Sequence, residues 1–121
     1  MKLVIQQRSE TPIYEQIYSQ IVTEILNGSA AADECLPSIR VVSRELCISV
    51  IPVKTAYDML ERDGYIYAVQ GKGCFVKKLG DEQLVKKLEL VENKARELAE
   101  LINDLNLPVG EAEKIIGKIL K

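Results

Sequence analysis

The strongest constraint on the fold lies in residues 38–76. Within them the spacing of apolar residues changes from the period of a helix to that of a strand, with no linker between the two patterns. Ser38 suits the N-cap of a short helix that ends at a break, Cys47-Ile48. Ser49 suits the N-cap of a second helix, which is expected to run to about Arg62. The apolar positions of this second helix recur at helical spacing and are Val53, Ala56, Tyr57 and Leu60. The pattern therefore predicts two short helices joined by a tight turn.

A β-hairpin is expected directly after the second helix, over residues 64–76. Two runs of β-branched and aromatic residues flank a turn in which Gly71 and Gly73 allow positive φ angles. Lys72 lies between these glycines, on backbone that no neighbouring side chain covers. Taken by itself, the hairpin is interpreted as a solvated turn whose lysine favours solubility. After two short helices, it predicts a winged helix-turn-helix of the α+β class, a fold that places its second helix in the major groove of DNA.

A longer amphipathic helix is predicted upstream of this motif. Thr11 is expected to cap it, and Pro12 suits its first position. Four isoleucines follow at strict i+4 spacing, and Asn27-Gly28 suits the C-terminal end. These isoleucines are Ile13, Ile17, Ile21 and Ile25. Before the helix, residues 3–7 alternate too briefly for more than a short strand or arm.

After Gly80 the sequence predicts a helix of about 24 residues with a heptad seam. The seam positions are Leu84, Leu88, Val91, Ala95, Leu98, Ile102 and Leu105. Leu107-Pro108 breaks this helix, and a short amphipathic helix is expected from about Gly110 to Lys121. A 24-residue helix is about 36 Å long, more than a small domain covers, so we expect the seam to join two copies of the chain rather than to pack intramolecularly. The final helix would fold back over the seam of its own subunit or of the partner subunit.

The charge of the chain excludes binding to nucleic acid by bulk attraction. Lys and Arg number 16 against 18 Asp and Glu, and residues 1–80 carry nine of each kind. Any contact with DNA must therefore depend on a few cations placed on one face.

The residue types argue against an enzyme, a cofactor or a metal site. Without histidine the chain has no Ser-His or Cys-His nucleophile, and no glycine-rich phosphate loop precedes a helix. Cys35, Cys47 and Cys74 lack the spacing of a metal site. We interpret Cys47 and Cys74 as small buried hydrophobes, with a thiol sensor as the alternative. No signal peptide or membrane span is evident, which favours the cytoplasm.

Over residues 12–76 the sequence resembles the GntR family of bacterial transcription regulators. The matching segments, in family order and at family spacing, are Pro12-Ile13-Tyr14-Glu15-Gln16-Ile17, Leu36-Pro37-Ser38-Ile39-Arg40, Arg44-Glu45-Leu46, Val53, Ala56-Tyr57, Leu60-Glu61-Arg62-Asp63-Gly64 and Gly71-Lys72-Gly73-Cys74-Phe75-Val76. The opening segment and the short tail resemble the YtrA-type subfamily. That resemblance implies a winged-helix DNA-binding domain at 9–78 and a helical dimerisation segment at 81–121.

The resemblance also implies a set of residues that contact DNA from the two short helices and the hairpin. They are Ser38, Arg40, Arg44, Ser49, Lys54, Thr55, Gly71 and Lys72. Four departures remove contacts that the family commonly has. Ala31-Ala32-Asp33 stands where the family usually has Pro-Gly-Asp. Cys47 replaces the turn glycine, Gln70 stands where arginine is common, and the second helix opens with the apolar Val50-Ile51-Pro52-Val53. Val50 or Ile51 would instead contact thymine methyl groups in the major groove.

The resemblance implies a transcription regulator, most often a repressor in such families, that acts as a homodimer on a pseudo-palindromic operator in double-stranded DNA. The alternative is a protein-interaction or assembly module that keeps the winged-helix fold with weak or lost DNA binding. The zero net charge of residues 1–80 and the apolar opening of the second helix favour that alternative. Whether the regulator has a small-molecule effector is left open, and the sequence does not identify one.

Overall fold

The computed structural model describes residues 1–120 and divides the chain into two compact units, Met1–Leu84 and Val85–Lys121. Within it, five helices and one hairpin follow in the predicted α+β order. Their bounds are α1 Ile13–Leu26, α2 Ile39–Leu46, α3 Val50–Arg62, β1 Ile66–Val69, β2 Gly73–Val76, α4 Asp81–Asp104 and α5 Val109–Ile119. Lys121, the predicted end of the last helix, lies outside the described residues. In the part that the structure describes, no helix is both long and apolar enough to cross a membrane.

The core of the first unit is built on the isoleucines of α1. Ile17, Ile21 and Ile25 are fully buried, as their i+4 spacing predicted. They share one hydrophobic cluster with buried side chains of α3 and of the β1–β2 hairpin, which we call the wing. These partners include Val53, Ala56, Tyr57, Leu60, Ile66 and Val76. Burial of one such aliphatic side chain stabilises the fold by about 1.5–3 kcal/mol, so α1 strongly fixes the orientation of α3.

The start of α1 differs from the prediction, because Thr11 does not cap the helix. Pro12 occupies the N-cap position with φ −56° and ψ 150°, and no side chain makes a cap hydrogen bond. This extended ψ angle keeps Pro12 outside the helix, which therefore begins one residue later, at Ile13. The carbonyl of Thr11 instead accepts a hydrogen bond from the side chain of Gln16 at 2.8 Å. The predicted end is confirmed, with Asn27 as C-cap and φ +84° at Gly28.

Residues 3–7 form an arm without strand structure, and two glutamines of α1 hold it. The side-chain amide of Gln20 donates to the Val4 carbonyl at 2.6 Å and accepts from the Val4 N–H at 2.9 Å. Gln16 makes the same pair of bonds with Gln6, at 3.0 and 2.8 Å. Each side-chain amide therefore takes the place of a neighbouring strand and satisfies backbone groups of the arm.

The helix α4 begins within the first unit, on a buried glutamine. The Gly80 N–H donates to Gln83 Oε1 at 3.0 Å, which is one half of a capping box. The Gln83 Nε2 donates to the Gly64 carbonyl at 3.3 Å. This side chain therefore ties the first turn of α4 to Gly64, which follows the end of α3. Further along, Asn106 has φ +57° at the predicted break, and α5 spans Val109–Ile119 rather than starting at Gly110.

The turn between α2 and α3 places Cys47 in the left-handed region. Its φ is +55°, a conformation that glycine adopts at no steric cost and that a Cβ disfavours. The Ser43 hydroxyl donates to the Ile48 carbonyl, and the Ile48 N–H donates to the Ser43 carbonyl at 3.0 Å. The interpretation of Cys47 as a buried hydrophobe is wrong, since its side chain is exposed at the C-cap of α2, outside the core.

We expect Cys47→Gly to stabilise the fold by about 1 kcal/mol, because glycine removes the Cβ strain of the left-handed conformation. The greater freedom of glycine in the unfolded chain offsets part of that gain. Denaturant unfolding under reducing conditions, at one fixed protein concentration, measures the difference. Cys47→Ala is the matched control, because it removes the thiol and keeps the Cβ. Equal stability of the two variants would contradict the strain argument.

Candidate nucleic-acid interface

The exposed face of α2 carries two of the predicted cations. Arg40 and Arg44 lie one turn apart, and both are exposed. Among residues 1–120, no carboxylate lies within ion-pair distance of either guanidinium group. Ser38 is the N-cap as predicted, and its hydroxyl accepts a hydrogen bond from the Val41 N–H at 3.2 Å. The two arginines are therefore available to a partner, whereas the Ser38 hydroxyl already serves the helix.

One buried tyrosine anchors α3, the predicted recognition helix, to the segment that precedes α2. The Tyr57 hydroxyl donates to the Pro37 carbonyl at 2.6 Å. Burial raises the pKa of Tyr57 above a usual value that already keeps the hydroxyl protonated at neutral pH, so this hydroxyl remains a donor at alkaline pH as well. This bond fixes the distance between the start of α2 and the middle of α3.

The outer face of α3 is less available for polar contacts than its sequence indicated. The Lys54 ammonium pairs with the Asp58 carboxylate at 2.8 Å, and this hydrogen bond raises the pKa of Lys54. The half-buried Thr55 donates its hydroxyl to the Ile51 carbonyl at 3.0 Å. Ser49 is at the N-cap as predicted, and its side chain makes no cap hydrogen bond. Of the three predicted α3 contacts, Ser49 is therefore the least committed to the helix itself.

The tip of the wing has the predicted turn. The Lys72 N–H donates to the Val69 carbonyl at 2.9 Å, and Gly71, at the third turn position, has φ +78°. Both Gly71 and Lys72 are exposed. The cation is therefore displayed on uncovered backbone, as the glycine spacing predicted.

The segment before α2 is hydrogen-bonded to the outer edge of β2. The Leu36 N–H donates to the Cys74 carbonyl, and the Val76 N–H donates to the Glu34 carbonyl, each at 2.9 Å. These two bonds flank an isolated antiparallel bridge between Cys35 and Phe75. The wing and the start of α2 are thus joined by main-chain hydrogen bonds.

This connection brings three predicted site residues around one surface pocket of about 460 Å³. Ser38, Arg40 and Lys72 all line it. The other five are not part of its lining, namely Arg44, Ser49, Lys54, Thr55 and Gly71. Two cations from separate elements therefore share one face, an arrangement that favours an anionic partner such as a phosphate backbone.

Sequence reasoning missed two of the contacts that shape this face. The Lys54–Asp58 pair has i,i+4 spacing, which is the helical spacing of an ion pair and could have indicated it. The Tyr67 hydroxyl donates to Asp33 Oδ1 at 2.7 Å, a bond between residues 34 positions apart that no local pattern reveals. Asp33 itself has φ +67°.

The cysteines near the wing do not form a recognisable metal site. In the described range, no group of three or more His, Cys, Asp or Glu side chains could hold a metal ion. Cys74 is half-buried, and burial raises the pKa of its thiol, which makes it a weak nucleophile at neutral pH. Cys35 is exposed.

The heptad seam of α4 is a second candidate surface. Leu88 and Val91 are 71% and 67% exposed, although both are large apolar residues. Nearer the end of α4, apolar side chains of α4 and α5 together line a pocket of about 330 Å³, with Ala112 buried beside it. Exposed apolar side chains in such a row are typical of interaction surfaces.

These features match one family of regulators. The family model described as "Bacterial regulatory proteins, gntR family" matches residues 13–76, which include α1, the helix-turn-helix and the wing. The chain belongs to the GntR family. Its winged helix therefore has the fold that the sequence predicted.

The chain is similar to a curated repressor and to two solved structures. The transcriptional repressor YtrA of Bacillus subtilis (strain 168) is 33% identical over 112 residues, which cover 92% of this chain and 84% of YtrA. A GntR-family regulator from Listeria monocytogenes shares the fold with a TM-score of 0.80 at 24% identity, over 91% of this chain and 96% of its own. The AraR DNA-binding domain, solved in complex with operator ORX1, has a TM-score of 0.56 at 25% identity, over 63% of this chain and 95% of its own. The YtrA match confirms the predicted YtrA-type membership.

In this GntR protein we expect Tyr57→Phe to lower the free energy of unfolding by about 1–2 kcal/mol, because the Pro37 carbonyl loses its donor. Tyr67→Phe is the control. It also removes a hydroxyl that donates a hydrogen bond, but from an exposed site where water can replace it. Chemical denaturation of both variants measures the difference. A Tyr57→Phe variant as stable as Tyr67→Phe would show that the Pro37 bond does not hold α3 in place.

Proposed function

We propose that this chain, a DNA-binding transcription regulator of the GntR family, acts as a homodimeric repressor by occupying a pseudo-palindromic operator. The observation that carries the proposal is the common face on which Arg40 and Lys72 line one pocket beside α3. In this proposal residues 9–78 bind DNA, residues 81–121 dimerise, and the protein acts by binding alone, without catalysis or cofactor. Its place of action would be the cytoplasm, where bacterial DNA lies.

The DNA part of the proposal is supported by the positions of a few exposed cations and not by the net charge of the domain. Residues 1–80 have zero net charge, so each exposed cation on the α2–wing face carries a large share of the attraction for phosphate. The wing presents Lys72 on bare backbone, which allows close approach to the sugar-phosphate chain. The operator complex of the related AraR domain supports the same use of the fold.

The dimer part of the proposal is supported by the exposed seam on α4. Leu88, Val91 and Leu105 are 71%, 67% and 69% exposed in the single chain. A two-fold axis along this seam would bury these side chains and would present two α3 helices to two half-sites.

Two observations favour the second candidate, a protein-interaction module with weak DNA binding. Lys54 forms an ion pair with Asp58 on the exposed face of α3, and Val50 and Ile51 expose apolar surface at the start of this helix. The two candidates differ in the salt dependence of binding to upstream DNA, because only contacts with phosphate release counterions.

We expect Lys72→Ala to weaken specific and non-specific DNA binding alike. If Lys72 contacts phosphate, the slope of log K against log salt should fall by about 0.9 per subunit, or about 1.8 for the dimer. Fluorescence anisotropy at several salt concentrations measures both quantities. Lys118→Ala, which removes the same charge from α5, is the control and should leave the slope unchanged. Unchanged affinity and slope in Lys72→Ala would favour the interaction module.

We expect Leu98→Asp to weaken self-association by about 3–5 kcal/mol, because it places an unpaired charge in a desolvated seam. Sedimentation velocity across the micromolar range measures the dissociation constant. Leu90→Asp is the matched control, since Leu90 is an exposed leucine of the same helix that lies off the seam. A wild-type chain that sediments as a monomer, or equal effects of the two substitutions, would contradict the seam as the dimer interface.

A further inference from the structure

The first turn of α3 displays an apolar pair that the core does not use. Ile51 is 72% exposed and Val50 is 45% exposed, whereas the stripe that begins at Val53 is buried. Single exposed apolar residues are common on protein surfaces. Two in succession at the opening of a recognition helix are placed where such a helix meets base edges.

Two of the three polar side chains predicted to contact DNA from this helix are bound to groups of the helix itself, and Ser49 is the exception. The Lys54 ammonium is bound to Asp58 at 2.8 Å, and the Thr55 hydroxyl is bound to the Ile51 carbonyl at 3.0 Å. Pro52, in the same turn, has no N–H to donate. Fewer polar groups of α3 are therefore available for hydrogen bonds with base edges, and the strongly exposed Ile51 adds an apolar contact surface there.

The electrostatics of this turn fit the major groove. The first turn of α3 contains no acidic residue, and its free backbone N–H groups give the helix start a partial positive charge. Arg44, in the last turn of α2, precedes it along the chain and has no carboxylate partner within residues 1–120. A positive helix start beside an apolar pair, with Arg44 in the preceding helix, fits a polyanion better than it fits an apolar protein surface.

We propose that Ile51, with Val50 beside it, reads the 5-methyl group of a thymine in each operator half-site. The thymine methyl is the apolar group that base edges present in the major groove, so it is the complement of an exposed isoleucine there. The inference rests on the proposed function, and it identifies a specificity determinant that the polar residues of α3 do not supply.

The test begins with selection of bound duplexes from a random-sequence pool by the full chain. Wild-type protein should enrich a thymine at one or two positions of each half-site, and Ile51→Ala should lose that preference while still binding DNA. Val4→Ala is the control variant, because Val4 is an exposed β-branched residue of the N-terminal arm. It should select the same sequences as wild type.

Uracil then replaces thymine in the selected operator, one position at a time, which deletes only the methyl group. Loss of one methyl-sized apolar contact corresponds to about a fourfold loss of affinity per half-site, or about fifteenfold when both half-sites are changed. On the thymine operator, Ile51→Ala should lose as much affinity as wild type loses when uracil replaces thymine. On the uracil operator, Ile51→Ala should lose no further affinity, so the effects of the protein change and the DNA change are not additive.

Several outcomes would overturn the inference. Equal affinity of wild type for thymine and uracil at every position would do so, as would a uracil effect that persists undiminished in Ile51→Ala. In both cases sequence-selective binding by the wild type would leave the proposed function standing. Absence of any selected sequence would instead reject the proposed function and the inference together. The uracil arm uses wild-type protein, so it does not depend on the folding of a variant.

Discussion

The packing of α1 against α3 is the interaction on which the rest of the structure depends. Because Ile17, Ile21 and Ile25 cover one side of α3, the opposite side must face outward, with Ile51 and Lys54 on it. The same buried stripe includes a tyrosine whose hydroxyl holds the segment before α2, and that segment is hydrogen-bonded to β2. One hydrophobic contact therefore determines which residues of α3 can meet a partner and where the wing lies beside them.

The order of the elements could be predicted because each one leaves a local signature. A pattern of a few neighbouring residues is enough to indicate a helix or a turn. Examples are the isoleucines at i+4, the serine N-cap and the glycines at the wing tip. The failures arose where local signals compete or where distant residues decide. Thr11 and Pro12 can both precede a helix, and the extended ψ angle of Pro12 decided the boundary. The exposure of Cys47 depends on surroundings that residue type does not report, whereas the i,i+4 spacing of Lys54 and Asp58 is a local signal that could have indicated their ion pair.

The charge distribution sets how such a protein can recognise DNA. Residues 1–80 have zero net charge, a sum that already includes the Lys54–Asp58 pair, so the long-range attraction of this region for DNA is weak. Affinity must then come from close approach of the wing and from contacts whose strength does not depend on salt. Apolar contacts in the groove are of this kind, because they depend on surface removed from water. An uncharged opening of α3 is therefore consistent with DNA binding, although a count of cations argues against it.

If each half-site is bound weakly, the affinity for an operator depends on the α4 seam, which would link two DNA-binding domains. Linking two binding modules raises the overall affinity by about 10²–10⁴-fold when the geometry allows both to engage. That gain is far larger than the effect of any one methyl contact in the groove. The seam would thus determine whether an operator is occupied at a given protein concentration, while the first turn of α3 would determine which operator is chosen. Since the seam residues Leu88 and Val91 are exposed in the single chain, dimerisation and occupancy should respond together to any molecule that covers this surface.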